Sequence, residues 1–111
     1  MELFWQVYQS AVYEVKTAVW TCGSTTTATV VSAVTAKKIR VLYFTTSATA
    51  ATTYNFRSNT TDISGNLAAG TTQTTAALAP LWFQTVAGEP LTVNNASATT
   101  VRGIVGYIEI P

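Results

Sequence analysis

Histidine is absent from this chain of 111 residues, and cysteine occurs once, at Cys22. Without an imidazole, the chain can form no Ser–His or Cys–His nucleophile pair and no histidine-ligated metal site. A single cysteine also excludes a disulfide within the chain. We expect Cys22 to be a buried, inert thiol rather than a cross-link between chains.

Acidic side chains are equally sparse and show no paired spacing: Glu2, Glu14, Asp62, Glu89 and Glu109. A glycosidase-type carboxylate pair would therefore depend on the fold alone. No glycine-rich phosphate loop occurs, and residues 62–65 are typical of a turn rather than of a calcium-binding loop. We expect neither an enzyme nor a bound metal or cofactor.

Charged residues make up only 10% of the chain, with a formal net charge of +1, whereas about 25% is usual for a soluble domain. The one basic cluster, Lys37, Lys38 and Arg40, lies at the start of a predicted strand, where lysines commonly protect a sheet edge. We expect no nucleic-acid partner. A neutral surface loses little free energy on desolvation, which favours a protein that assembles with other subunits.

Targeting signals are also missing. Residues 1–6 have no basic leader, sustained apolar run or small-residue cleavage site. No segment reaches the roughly 20 apolar residues of a membrane helix. We expect a protein that folds in a cytoplasm and does not contact a membrane.

Threonine is abundant, at about a fifth of the chain, and β-branched residues favour strands. No run has the 3.6-residue apolar period of a helix, and strand-like runs recur about every ten residues. This pattern predicts an all-β fold, an antiparallel sandwich of about eight strands that resembles a jelly roll. An immunoglobulin-like sandwich is the alternative, although its Cys…Trp…Cys spacing is missing. The strand-like runs are 12–20, 28–34, 38–45, 52–57, 81–85, 91–93 and 101–110.

The length predicts a single domain spanning residues 1–111. Within it we expect residues 1–20 to provide an N-terminal interaction arm. Phe4, Trp5 and Tyr8 are apolar and are separated from the rest by a run of small residues, so we expect them to pack on a neighbouring subunit.

The last predicted strand, residues 101–110, carries apolar residues on both faces. We expect Ile104, Ile108 and Ile110 to face the core, and Val105 and Tyr107 to face a partner subunit. The alternative is that the chain's own residues 3–8 cover that second face. Trp82 joins the expected contact residues because Trp and Tyr are enriched at interfaces, although exposed aromatics could instead stack on a sugar. The expected interface residues are Phe4, Trp5, Tyr8, Trp82, Val105 and Tyr107.

Two motifs in the C-terminal half carry a family resemblance. Thr85-x-x-Gly88-Glu89-x-Leu91 ends one strand, and Gly103-x-x-x-Tyr107-x-Glu109 lies in the next. Together with Phe56-Arg57-Ser58 and the turn at 62–65, they resemble small β-sandwich virion proteins of tailed bacteriophages. The resemblance covers residues 38–111.

The resemblance implies a virion protein made in the host cytoplasm. Such proteins often act as capsid decoration or cement proteins, frequently as trimers, while others belong to necks, tails or fibres. We therefore expect a homotrimeric cement protein that bridges subunits of the major capsid protein. The alternative is a carbohydrate- or receptor-binding module of a phage fibre or tail.

Overall fold

The computed structural model describes residues 5–8, 11–77 and 83–111, with side chains described for residues 12–73 and 83–111. These residues form twelve β-strands and no helix. The longest two are Lys38–Ala48 and Val101–Ile110. The strands are β1 (Trp5–Tyr8), β2 (Ala11–Glu14), β3 (Lys16–Cys22), β4 (Thr26–Val31), β5 (Lys38–Ala48), β6 (Thr52–Ser58), β7 (Thr61–Asp62), β8 (Leu67–Ala69), β9 (Thr74–Ala77), β10 (Phe83–Gln84), β11 (Leu91–Asn95) and β12 (Val101–Ile110).

Two antiparallel sheets pack face to face, which confirms the predicted β-sandwich. The first sheet has the order β10-β5-β12-β3, with β9 also paired to β5, and the second has the order β4-β11-β6-β7, with β8 also paired to β6. The last strand, β12, thus lies between β3 and β5, and the next to last, β11, lies between β4 and β6. Such nested pairing is the strand order of a jelly roll. Strands β1 and β2 form a separate hairpin.

Aromatic rings fill the space between the sheets. Phe56 is fully buried at the centre, with its ring centroid 5.2–5.8 Å from the rings of Trp20, Phe44, Tyr54 and Phe83. Most of these contacts are edge-to-face, the geometry that the ring quadrupoles favour. The alternation in residues 52–57 correctly predicted that Tyr54 and Phe56 share a face.

Polar side chains hold the connecting loops onto this core. Ser58, which is 1% exposed, donates to Glu89 Oε1 at 2.5 Å and accepts from the Val86 N–H at 2.9 Å. Asn95 is fully buried and donates to the carbonyls of Gly23 and Thr99. Because each amide or hydroxyl satisfies otherwise unpaired backbone groups, these residues fix the loops at the two ends of the sandwich.

Alternation over residues 38–45 predicts Ile39, Val41 and Tyr43 on one face of the strand, but a β-bulge in β5 overturns this grouping. Tyr43 pairs with Gly106 and Val41 pairs with Tyr107, so Leu42 is an extra residue in β5. An inserted residue reverses the alternation of faces beyond it. Val41 and Phe44 therefore share the core face, whereas Tyr43, expected beside Val41, lies on the other.

The N-terminal boundary of the sandwich also differs from expectation. Residues 16–22 form β3, which pairs with β12 and places Trp20 and Cys22 in the core. Cys22 is fully buried and its thiol contacts the Thr26 and Val93 carbonyls, in agreement with an inert role. Residues 16–20, which were expected within the arm, therefore belong to the sandwich, and an arm role for residues 1–15 stays a prediction.

Candidate functional site

Only two of the six expected interface residues have side chains that the structure describes. Phe4 and Trp82 lie outside the described residues, and Trp5 and Tyr8 belong to β1, of which the backbone alone is described. A contact role for these four residues stays a prediction. Val105 and Tyr107 are described, and both lie in the hydrophobic core of the sandwich.

The face assignment on β12 is therefore wrong. Val105 is fully buried between Ala18 and Phe44, its partners on the neighbouring strands, and Tyr107 is 9% exposed. Ile104, which was expected in the core, is 37% exposed on the outer face. The side chains of the strand alternate as the sequence indicates, but the face expected to meet a partner is the one that meets the core. Val101 and Val105 lie in the same rows as the buried Cys22 and the partly buried Ala18 of β3, which packs against the core.

Ile108 and Ile110 form a second buried group on the outer face of β12. They are 1% and 0% exposed, yet they do not belong to the core cluster between the sheets. Strand β2 runs close to β12. The chain itself thus buries both faces of the C-terminal half of β12. The described strand near the outer face is β2, residues 11–14, whereas cover by residues 3–8 stays a prediction.

The exposed apolar surface lies instead at the other half of the same strand pair. Val19 on β3 is 79% exposed and lies directly beside Ile104, which in turn lies beside Thr45. Alternation in β3 directs Trp20 into the core and Val19 outward. We call the exposed pair Val19 and Ile104 the outer apolar pair.

A shallow depression of about 400 Å³ surrounds this pair. Thr21, Thr45 and Ser47 line it with hydroxyl groups, and the exposed Arg102 supplies a charged group. Gly103 also lines it, and an added Cβ there would lie 1.9 Å from the Thr45 carbonyl oxygen. This surface offers hydroxyl and aliphatic contacts with one guanidinium, which suits binding rather than group transfer.

Lys16 and Glu109 form an ion pair of 2.9 Å at the far end of β3. The hydrogen bond and negative charge of Glu109 raise the pKa of Lys16. Burial, and less strongly the charge of Glu109, raises the pKa of Tyr107, which lies on the same strand. The side chains of Lys16 and Glu109 are 43% and 21% exposed, and solvent weakens an ion pair that it reaches. The pair lies at one end of the sheet.

Three buried polar atoms have no hydrogen-bond partner within the described part of the chain: Trp20 Nε1, Thr46 Oγ1 and Tyr54 Oη. Burial raises the pKa of Tyr54. The nearby Thr46 hydroxyl lowers that pKa in part, although the two hydroxyls form no hydrogen bond of regular geometry. Within residues 12–73 and 83–111, no three Cys, Asp or Glu side chains group as metal ligands would. The described chain also has no helix long and apolar enough to cross a membrane.

Alternation over residues 12–20, taken as one strand, groups Val19 with the apolar Tyr13 and Val15 and does not predict that Val19 is exposed. The signal was present in the sequence. Val19 alternates with Thr17 and Thr21, whereas Trp20 alternates with Ala18 and Cys22, and Cys is among the most buried residue types. Comparison with protein-family models, curated proteins and solved structures found no match.

Proposed function

We propose that this protein is a non-enzymatic structural component of a phage virion, a capsid cement protein that bridges subunits of the shell. The observation that carries the proposal is the outer face of the first sheet, where Val19 and Ile104 are exposed among threonines with Arg102 as the nearest charge. The resemblance of residues 38–111 to phage virion proteins is the reason for proposing a phage particle as the assembly. The scarcity of charge supports assembly in general.

Cementing requires only the burial of neutral surface at several contacts. Exposed threonine and aliphatic side chains lose little on desolvation and gain apolar contact, at roughly 25 cal/mol per Å² of buried apolar area. Each contact between the protein and two capsid subunits adds to the work needed to separate them. A shell under pressure from packaged DNA gains resistance to rupture in this way.

Self-association belongs to the proposal, with a homotrimer as the assembly that the resemblance implies. The expected apolar partner face on β12 no longer supports it, because Val105, Tyr107, Ile108 and Ile110 are all buried within one chain. The exposed outer apolar pair, Val19 and Ile104, is the apolar surface that supports self-association instead. Contact through Phe4, Trp5, Tyr8 and Trp82 remains part of the proposal.

Binding to particles tests the proposal. Shells of the encoding phage, prepared without this protein, are mixed with purified wild-type protein and then heated while DNA release is followed. We expect saturable binding and a higher temperature of DNA release. Ile104→Lys should weaken binding at least tenfold, whereas Val86→Lys, at another exposed valine (60%), should not. Absence of wild-type binding to shells and tails would contradict a virion role.

The depression around Gly103 favours one second candidate, a carbohydrate- or receptor-binding module of a fibre or tail. The hydroxyls of Thr21, Thr45 and Ser47 are able to donate and accept hydrogen bonds with a polysaccharide, and the Arg102 guanidinium is able to donate them. Trp20, which also lines the depression, provides a fluorescence signal. A saturable change in that signal with host polysaccharide, lost in Arg102→Ala, would favour this candidate over the cement protein.

A further inference from the structure

Strand β3 lies at the edge of the first sheet. It pairs with β12 from Lys16 to Cys22 without a register shift, and no other strand that the structure describes pairs with it. An edge strand presents backbone N–H and C=O groups that another strand can bind.

The direction of these free groups follows from one hydrogen bond. The Ile104 N–H donates to Thr45 Oγ1 at 3.2 Å, so Ile104 directs its backbone groups toward β5. Backbone direction alternates along an antiparallel strand, so Gly103 and Val105 direct theirs toward β3 and bond to Trp20 and Ala18. Thr17, Val19 and Thr21 consequently direct their N–H and C=O groups to the open edge.

This edge lacks the usual protection against strand pairing. Natural edge strands commonly carry an inward charge, a proline or a bulge, and residues 17–22 have none of these. The nearest charge, on Lys16, is paired with Glu109 at the end of the strand. An edge of this kind that stays soluble is expected to have a specific occupant.

We propose that the occupant is a second copy of this chain, paired antiparallel through β3 around a two-fold axis at Val19. Such a contact closes as a dimer, so this inference replaces the homotrimer that the resemblance implies. The strand is complementary to itself about that point. Val19 would face Val19 of the second copy, and Thr17 would face its Thr21, so all outward backbone groups of these residues exchange hydrogen bonds. Because the side chains of Thr17, Val19 and Thr21 share the outer face, the outer apolar pairs of the two copies would join into one continuous apolar row.

The charges also fit this arrangement. Two-fold pairing places Arg102 of each copy in the same row as Thr17 of the other. From the spacing of strands and residues, the two Arg102 backbones lie roughly 20 Å apart, and each Lys16 lies beside the uncharged Cys22 end of the other strand. Antiparallel pairing therefore brings no like charges together. Parallel pairing in register would instead place the Arg102 residues of both copies in one row.

Disulfide trapping tests the contact directly. Directly opposed Val19 residues would have Cα atoms about 5.5 Å apart, within the range that a disulfide spans. Val19→Cys should therefore form a covalent dimer under mild oxidation at micromolar concentration. Val86→Cys, at a valine on a different surface, is the matched control, and the wild type shows that buried Cys22 does not react. Neither the Val86→Cys variant nor the wild type should form the covalent dimer.

Sedimentation of unoxidised protein provides the second measurement. We expect a wild-type dimer, and at least a tenfold weaker dimer in Val19→Lys, with no change in Val86→Lys. A monomer at all concentrations, a trimer unaffected by Val19→Lys, or no cross-link in Val19→Cys would each overturn this inference. The virion role would be unaffected by those outcomes, because it is tested separately by binding to shells.

Discussion

At the scale of single residues, two glycines allow β12 to lie close to β5. A Cβ on Gly103 would lie 1.9 Å from the Thr45 carbonyl oxygen, which belongs to the backbone of a central strand. A Cβ on Gly106 would lie 2.0 Å from Tyr43 Cε1, an atom of a half-buried side chain. The first neighbour is part of a hydrogen-bonded sheet and cannot move alone, whereas the second can rotate.

Alanine at these glycines should therefore have graded effects. We expect Gly103→Ala to lower the free energy of unfolding by about 3 kcal/mol, at the upper end for overpacked sites, and Gly106→Ala by about 1 kcal/mol. Gly70→Ala is the matched control, since nothing lies within 4 Å of its Cβ position. Urea denaturation measures all three, and equal losses at Gly103 and Gly106 would show that the Thr45 backbone yields as readily as the Tyr43 ring.

At the scale of elements, β12 lies inside the first sheet, between β5 and β3. It pairs with β5 over residues 101–110 and with β3 over residues 101–107. Its odd-numbered residues Val101, Val105 and Tyr107 enter the core between the sheets, and Ile108 and Ile110 are buried on the opposite face. Because both faces of β12 are buried within one chain, shortening a side chain on either face should lower the stability of the fold.

Tyr107→Ala and Ile108→Ala should each cost about 2–5 kcal/mol of folding free energy, since both are large-to-small changes at buried sites. Val86→Ala, at a side chain 60% exposed, is the control and should change stability by no more than about 0.5 kcal/mol. Chemical denaturation of the purified protein provides the measurement. If Ile108→Ala proved as neutral as the control, the cover over the outer face of β12 would contribute nothing to the fold.

At the scale of the whole molecule, ionic interactions contribute little and aromatic packing contributes much. One ion pair, Lys16–Glu109, is present in the described part of the chain, and it is exposed to solvent. The groups with shifted pKa values are Lys16, Tyr54 and Tyr107, and all three shifts are upward. The folded protein therefore holds these protons more tightly than the unfolded chain does.

Stability should consequently fall at alkaline pH. A raised folded-state pKa contributes stability that is complete below the unfolded-state value, 10.0 for the two tyrosines and 10.5 for Lys16. That contribution is lost as the pH rises through the folded-state pKa. We expect the free energy of unfolding to be level up to about pH 9 and to decline above about pH 10. Tyr54→Phe, which also removes an unpartnered buried hydroxyl, should reduce the decline without loss of stability at neutral pH. An unchanged decline in Tyr54→Phe would assign the effect to Tyr107 and Lys16.

The sequence by itself determined the fold class and most of the strands. β-branched and aromatic residues in period two, turn residues between them and the lack of a helical period predicted the antiparallel sandwich. The observed β12, Val101–Ile110, has the predicted bounds. Alternation also sorted Val105 and Tyr107 onto one face of that strand and Ile104 and Ile108 onto the other, because side-chain direction depends only on the local backbone.

Only the tertiary structure decided which face meets the core. Alternation defines two sets of side chains, but the inward set is chosen by strands far away in sequence, such as Trp20 opposite Gly103. The bulge at Leu42 likewise depends on how β5 accommodates Gly106 and Tyr107, and no local pattern marks it. The outer apolar pair shows the same division: local alternation separates Val19 from Trp20, but Val19 and Ile104 become neighbours only when β3 pairs with β12.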